Sequence, residues 1–155
     1  MATALNQQLP PVEPQALAQA VGVGMHSVDA AAQALGITLQ AIAPGQATMT
    51  MVVRPDMLNG HQTCHGGFLF TLADTAFAFA CNARNQATVA AGCTIDYVAP
   101  GFERDVLTAE AIERTLAGRT GVYDVTVTNQ EGKTLALFRG RSHRIKGQII
   151  GVSSD

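Results

Sequence analysis

The longest apolar segment of the chain lies in its middle and predicts a buried helix. From Gly66 to about Ala83 the sequence is rich in Ala, Leu and Phe and is apolar on nearly every side of a helix. Such a helix is expected at the centre of a domain, wrapped by other elements. One carboxylate, Asp74, interrupts it. Because an unpaired buried charge loses its hydration, Asp74 either lies on a partly hydrated helix face or is a working group.

Four strand-like segments follow this helix almost without a helical pattern. Their sequences are ATVAAGCTIDYVAP, DVLTAEAIERTL, TGVYDVTVTN and KTLALFRGRSHRI. Turn residues separate them at Pro100-Gly101, Gly118 and Glu131-Gly132. The pattern predicts a four-stranded antiparallel meander.

The segment before the long helix predicts two short helices. Pro14 suits a first helical turn, and we expect the helix that begins there to be interrupted at Gly22 and Gly24. Ser27 is a candidate N-cap of a second helix, with Gly36 just beyond its C-terminal end.

A hairpin is predicted next, because ITLQAIAPGQATMTMVVRP reads as two strands joined by a Pro44-Gly45 turn. The complete order is a helical segment, a hairpin, a long helix and a meander, which predicts an α+β domain with an antiparallel sheet packed on one buried helix. We expect this single domain to span residues 14–150, with a flexible N-terminal tail at 1–13 and a C-terminal tail at 151–155.

Length and charge narrow the possible functions. A chain of 155 residues is one ordinary domain. The net charge of −2 and pI near 6.0 give no basic field for nucleic acid or an anionic membrane surface. No segment reaches the roughly 20 apolar residues that span a bilayer. Charged residues make up 14%, against roughly 25% in typical domains, so we expect part of the surface to be covered in a homo-oligomer.

Cysteine usage and the N-terminus indicate a reducing compartment. Cys64, Cys81 and Cys93 are odd in number and lack the spacing of a zinc site or a disulfide framework. The first fifteen residues contain no lysine, no arginine and no apolar core of a secretory signal. We therefore predict a cytoplasmic protein.

Several motifs around the long helix resemble a known family. Asn59, the triplet His65-Gly66-Gly67, the LAD sequence ending at Asp74, the alanine-rich helix and the strand TIDYVAPG are similar to hotdog-fold thioesterases of the phenylacetic acid degradation (PaaI) type. The resemblance extends from about Pro55 to Ile145. It implies the hotdog fold, a curved antiparallel sheet wrapped around one long helix. It also implies hydrolysis of acyl-CoA thioesters without a cofactor, on aryl or arylacetyl substrates such as phenylacetyl- or hydroxyphenylacetyl-CoA in aromatic catabolism.

Thioester hydrolysis assigns roles to these residues. The carbonyl oxygen gains negative charge, which an N–H at a helix start can stabilise, so Gly66 is the candidate oxyanion donor, with Gly67 beside it. Asp74 either attacks the carbonyl carbon or acts as general base on water. Asn59 is a candidate for orienting the water or the thioester. By resemblance, His65 would help hold the carbonyl or the loop.

Further residues are candidates for substrate contacts. Thr75 and Phe77 are predicted to contact the substrate. Because CoA carries phosphates, we expect a small cationic rim. The candidates are the polar residues of the turn AGRTGVYD and the side chains on one face of the last strand: Arg119, Thr120, Arg141 and His143. Arg139 shares that strand face.

Other readings of the same residues stay open. Cys64 and His65 suggest a nucleophile and its base, and His61 would join them in a metal site, although adjacent residues seldom converge and the usual ligand spacing is missing. We therefore predict no metal. A hydratase or dehydratase on the same fold would use His65 with Asp74. A non-catalytic acyl-CoA binding module is the third reading.

The spacing of Gly66 and Asp74 predicts a site shared between subunits. They lie eight positions apart on one helix, which separates them by roughly 12 Å along its axis. One thioester cannot reach both. We therefore expect a two-fold dimer in which Asp74 serves a carbonyl held by the partner's helix, as the resemblance to dimeric hotdog enzymes also implies, and a tetramer formed as a dimer of dimers.

Overall fold

One antiparallel sheet of six strands packs around one long helix. The computed structural model describes residues 12–151. Its elements are α1 (Pro14–Val28), α2 (Ala30–Ala34), β1 (Thr38–Ala43), β2 (Gln46–Val52), a 3-10 turn (Pro55–Met57), α3 (Gly66–Asn82), β3 (Thr88–Tyr97), β4 (Val106–Ala117), β5 (Thr120–Thr128) and β6 (Thr134–Arg144). Helix α3 contacts all six strands. The predicted α+β class, with a sheet around one central helix, is confirmed.

The core lies between α3 and the inner face of the sheet. Along β5, buried Gly121, Tyr123, Val125 and Val127 alternate with half-buried residues, which is the pattern of a strand covered on one face. The ring centroid of Phe77, on α3, lies 5.5 Å from that of Tyr123. Truncating Phe77 to alanine would leave a cavity at a typical cost of about 3–5 kcal/mol.

The prediction of a four-stranded meander is wrong for β3. The strand order is β1-β2-β4-β5-β6-β3, so β3 pairs with β6 at one edge of the sheet and β4 pairs with β2. Residues 98–105 connect β3, at the edge of the sheet, to β4, which lies between β2 and β5. Hydrogen bonds hold this connection, such as Cys64 N–H to Gly101 O at 2.8 Å and Val53 N–H to Asp105 O at 2.9 Å. The alternation of polar and apolar residues gives the face of each strand but does not give its neighbour.

The predicted interruption of the first helix at Gly22 and Gly24 is also wrong, because α1 continues through both. A Cβ atom at Gly22 would lie 2.7 Å from Leu39 Cδ2, and one at Gly24 would lie 2.5 Å from Ile150 Cγ2. These glycines allow α1 to approach its neighbours closely.

The N-cap of α2 is Asp29 and not Ser27. Asp29 Oδ1 accepts a hydrogen bond from Ala32 N–H at 2.9 Å, whereas the Ser27 hydroxyl donates to Gly24 O at 2.7 Å. Gly36 lies beyond the helix end at φ +67°, a conformation that glycine adopts without strain, as predicted.

The predicted hairpin is confirmed, since β1 and β2 pair around the Pro44-Gly45 turn. The predicted tails at 1–13 and 151–155 lie outside the described residues except for Val12, Glu13 and Gly151. Among residues 12–151, no helix is long and apolar enough to cross a membrane.

Candidate active site

The loop before α3 is held together by the Asn59 side chain. Its Oδ1 accepts hydrogen bonds from His61 N–H at 2.9 Å and from the N–H and hydroxyl of Thr63, both at 3.2 Å. Within residues 12–151, the Asn59 Nδ2 group donates to no acceptor. The oxygen of this amide therefore organises the loop, and its two N–H groups remain available to a ligand.

Helix α3 begins with one unused amide. His65 is the N-cap, and its Nδ1 accepts the Gly67 N–H at 3.0 Å. The Phe68 N–H donates to His65 O at 2.9 Å. Within the part of the chain that the structure describes, no acceptor takes the Gly66 N–H. Because the N-terminal end of a helix carries partial positive charge, this amide can donate a hydrogen bond to an anionic or partly negative oxygen.

The cap also determines which tautomer the neutral His65 ring adopts. A nitrogen that accepts an N–H is unprotonated, so the neutral imidazole carries its proton on Nε2. The side chain is exposed, and within residues 12–151 no acceptor takes the Nε2 hydrogen, which can therefore be donated to a ligand at the helix start. Gly67, predicted to bind substrate, has its N–H occupied by this cap.

A pocket of about 430 Å³ opens at the unused amide. Its lining includes Asn59, Cys64, Gly66, Leu69, Tyr97 and Pro100. The volume lies within the range of small-molecule sites. The pocket thus joins two of the predicted catalytic residues, Asn59 and Gly66.

Tyr97 covers the helix start and was missed by the sequence analysis. Its hydroxyl donates to Gly66 O at 3.0 Å. A Cβ atom at Gly66 would lie 3.0 Å from Tyr97 Cζ, so the ring rests directly on the glycine. Strand alternation was the available signal, since Cys93, Ile95 and Tyr97 share one face of β3.

Asp74 lies two turns along α3 and is half-buried. Burial raises the pKa of its carboxyl above the ordinary value of 3.8. Among residues 12–151 it forms no ion pair. The Cys93 thiol lies 4.0 Å from its Oδ1, the contact of a weak donor. Burial, with a contribution from the Asp74 charge, raises the pKa of Cys93 in turn.

The surface around Asp74 is open on two sides. On α3, Thr71, Asp74, Thr75 and Ala78 are partly exposed and follow a helical stripe. Beside them, β3 has ten residues and lies at the edge of the sheet, paired on one side among the described strands. An edge of this length is a template for pairing with another chain.

Two predicted substrate contacts have other roles in this protomer. The Thr75 hydroxyl donates to Thr71 O at 2.7 Å, inside its own helix. Phe77 is 1% exposed and packs against Tyr123 and Phe138, so it is a core residue and presents no surface to a ligand. Because α3 is apolar on nearly every side, the sequence alone did not separate its buried face from its open one.

The predicted CoA residues lie at the β4–β5 turn and on β6. Thr120 pairs with His143, and the Arg144 N–H donates to Arg119 O at 2.8 Å, which brings the turn and the last strand together. The expected alternation is present, because Arg141 and His143 are exposed while Gly140 and Ser142 are buried.

Arg139 is engaged elsewhere on the same face. Its guanidinium binds Asp124 at 2.7 and 2.9 Å, and this pairing lowers the pKa of that carboxyl. Arg141 lies across Gly92, where a Cβ atom would come within 2.5 Å of its Nη2. Arg141 thus packs on the edge strand that carries Cys93.

The cysteine nucleophile and the metal site receive no support. Burial, followed by the charge of Asp105, raises the pKa of Cys64 to about 11, so its thiol is protonated at neutral pH and a poor nucleophile. No three His, Cys, Asp or Glu side chains within the described chain form a group able to hold a metal.

Comparison with known proteins gives consistent matches. The family model described as Thioesterase superfamily matches residues 61–136. Acyl-coenzyme A thioesterase PaaI of Escherichia coli is 57% identical over 127 residues, which cover 82% of this chain and 91% of that protein. A solved structure of the E. coli PaaI protein from the phenylacetic acid degradation operon has a TM-score of 0.86 and 52% identity, covering 88% of this chain and 99% of the other.

A more distant structure contains the coenzyme. It is a hypothetical thioesterase from Streptococcus pneumoniae solved with coenzyme A, with a TM-score of 0.68 and 28% identity, covering 72% of this chain and 90% of the other.

Proposed function

The chain belongs to the thioesterase superfamily and is a thioester hydrolase with the hotdog fold, and we propose that it cleaves acyl-CoA thioesters to the free acid and CoA. We also propose aryl or arylacetyl thioesters, such as phenylacetyl- and hydroxyphenylacetyl-CoA, as its substrates. The similarity to a protein from a phenylacetic acid degradation operon supports this class. The pocket at the start of α3 supports it as well, since the residues that line it carry no charge.

The observation that carries the mechanism is the unused Gly66 amide at the pocket. In the proposed complex, the thioester carbonyl oxygen accepts this N–H, and the helix end stabilises the charge that develops there. Asn59 Nδ2 is the second donor at the same pocket and orients the thioester or the water. His65 supports the arrangement as the N-cap, because it takes the competing Gly67 N–H.

The carboxylate comes from the second subunit. Gly66 and Asp74 of one α3 are separated by roughly 12 Å along the helix axis. A two-fold axis beside the edge strand β3 would place the open stripes of two α3 helices antiparallel, with Asp74 of the partner subunit facing the Gly66 amide. The open stripe on α3 and the unpaired edge of β3 support this dimer.

Two chemical routes use the same geometry. In the first, an Asp74 oxygen bonds to the carbonyl carbon, the C–S bond breaks with its electron pair leaving on CoA, and water then hydrolyses the anhydride. In the second, Asp74 accepts a proton from water as the water oxygen bonds to the carbon, and the departing sulfur then takes up a proton. Both need an ionised carboxylate.

A cationic rim for the CoA phosphates is proposed at Arg119, Thr120, Arg141 and His143. Neutralising Arg119 and Arg141 should raise KM for CoA thioesters and leave KM for a pantetheine thioester, which lacks the nucleotide, unchanged. Lys133→Ala is a matched control, since Lys133 is an exposed cation at the opposite end of these strands. Equal effects on both substrates would place the arginines outside the CoA site.

Two properties of the whole protein are also proposed. Two dimers associate into a tetramer, which would cover exposed apolar side chains of the outer sheet face such as Ile112 and Leu137. Light scattering would distinguish a tetramer from a dimer. We propose a cytoplasmic location, consistent with the three free cysteines.

The function is tested by incubating the protein with phenylacetyl-CoA and a chromogenic thiol reagent. A hydrolase releases one CoA thiol per substrate. A hydratase would alter the acyl chain without releasing thiol, and a binding module would do neither. Binding of the substrate without thiol release would refute the proposal.

A further inference from the structure

Tyr97 places a fixed aromatic ring at the point where the thioester carbonyl is proposed to bind. It is the last residue of β3, and its hydroxyl is held by Gly66 O at 3.0 Å. Despite this contact the residue is 51% exposed. One part of the ring therefore rests on the helix start while the rest remains open to the pocket.

The surroundings of this ring suit an uncharged, flat group. Tyr97 and Gly66 line the same pocket, together with Leu69, Val98 and Ala99. Because the hydroxyl is already anchored, the ring loses little further rotational freedom when a ligand packs against it. Aromatic pairs gain stability beyond the area they bury.

We propose that Tyr97 is a specificity-determining residue, whose ring is the surface against which an aryl acyl group packs while its carbonyl rests on the Gly66 N–H. This inference depends on the proposed thioesterase function. It assigns the preference for aromatic acyl groups to one side chain of the edge strand.

The same contact explains why residue 66 is glycine. A Cβ atom there would lie 3.0, 3.2 and 3.3 Å from Cζ, Cε1 and Oη of Tyr97, closer than ordinary packing allows. An alanine at this position keeps its N–H but displaces the ring. The ring position and the helix start are thus coupled. We expect the loss of activity that Gly66→Ala causes to be smaller, by about twofold or more, in a Tyr97→Leu background than in the wild type.

The test measures kcat/KM for phenylacetyl-CoA and for hexanoyl-CoA, a linear thioester, in the wild type and in three variants. Tyr97→Phe keeps the ring and loses the hydroxyl. Tyr97→Leu and Tyr97→Met are two non-aromatic variants of different shape. We expect the ratio of the aryl to the linear substrate to fall roughly 2- to 10-fold in the Leu and Met variants and to be retained in the Phe variant.

Three results would overturn the proposal. The first is an unchanged ratio of aryl to linear kcat/KM in Tyr97→Leu or Tyr97→Met, in a variant whose thermal transition shows that it is folded. It would show that the ring does not select the acyl group. A fall as large in Tyr97→Phe would assign the effect to the hydroxyl. Wild-type protein that releases no thiol from either ester would refute the hydrolase function and this inference together, whereas an unchanged ratio with active wild type refutes only the role of Tyr97.

Discussion

Replacing Asp74 by asparagine separates the charge of this side chain from its place in helix α3. The two side chains have nearly the same shape, and the contact that Asp74 makes with Cys93 is long, at 4.0 Å. The substitution should therefore leave packing intact. Because both chemical routes need an ionised carboxylate, kcat for phenylacetyl-CoA should fall about 100-fold or more, the usual cost of losing a catalytic base.

The same variant should be as stable as the wild type or more so. Burial raises the folded-state pKa of Asp74 above its unfolded value near 3.8. Above the folded pKa the carboxylate therefore carries a desolvation cost, which disappears as the pH falls through that pKa. Asparagine removes this cost at neutral pH. For a chain of this size, each 1 kcal/mol moves Tm by about 2–4 °C, so the gain is measurable by thermal denaturation.

The assay pairs thiol release with a melting curve on the same protein preparation. Low activity with an equal or higher Tm supports a functional carboxylate that is retained at the expense of stability. Activity within about tenfold of the wild type would refute the catalytic assignment. A Tm that is lower by several degrees would make Asp74 a structural residue.

Three further predictions concern the groups around the site and the end of α3. Cys93→Ser places a stronger hydrogen-bond donor beside Asp74, which favours the ionised carboxylate, so the acid limb of the kcat/KM profile should move to lower pH. Cys93→Ala removes the donor and should move the acid limb to higher pH. An acid limb that stays in place in both variants would exclude this coupling. Asn59→Asp keeps the acceptor that holds the loop and loses the Nδ2 donor, so kcat should fall about tenfold or more at an unchanged Tm. Asn59→Leu loses both groups and should lower both kcat and Tm. Full activity of Asn59→Asp would contradict the role of Nδ2 as a donor at the pocket. Burial alone would raise the pKa of Glu113, but hydrogen bonds led by that from Arg84 outweigh it and lower the pKa. The Arg84 pair therefore stabilises the fold above the ordinary pKa of 4.5, and this contribution is lost as the pH falls through the lowered pKa. Arg84→Met should lower Tm at about pH 7, and the difference from the wild type should shrink steadily as the pH falls below about 4.5; a difference that is constant with pH would disprove the linkage.

The sequence predicted α3 within one residue because its signals are local. A segment that is apolar on nearly every side of a helix predicted a helix from Gly66 to about Ala83, and the helix spans Gly66–Asn82. The outward alternation of Arg141 and His143 on β6 was equally local. Such features follow from the repeat of a helix or a strand alone.

The neighbours of β3 depend on the route of the chain and were not predicted. Residues 98–105 cross the end of the sheet, so β3 lies beside β6 and not beside β4. The missed residues Cys93 and Tyr97 belong to this strand, and they contact α3 because β3 is paired with β6 at this edge of the sheet. Phe77 was wrongly predicted to contact the substrate, because a helix that is apolar on nearly every side gives no local sign of which phenylalanine faces the core.

The central claim, a site built from Gly66 of one subunit and Asp74 of the other, is tested most directly by complementation. Asp74→Asn chains are mixed with Gly66→Pro chains, which lack the N–H. The backbone of proline suits this first helical position, although its Cβ atom also displaces the Tyr97 ring of the same site. Each variant is first shown to assemble and to be inactive, and exchange of chains is followed by native mass spectrometry with a mass tag. Half of the dimers are then mixed, and each has one intact site, so roughly a quarter of wild-type activity should return. Demonstrated exchange without any return of activity would contradict the shared site and place Asp74 with a different oxyanion donor in its own subunit.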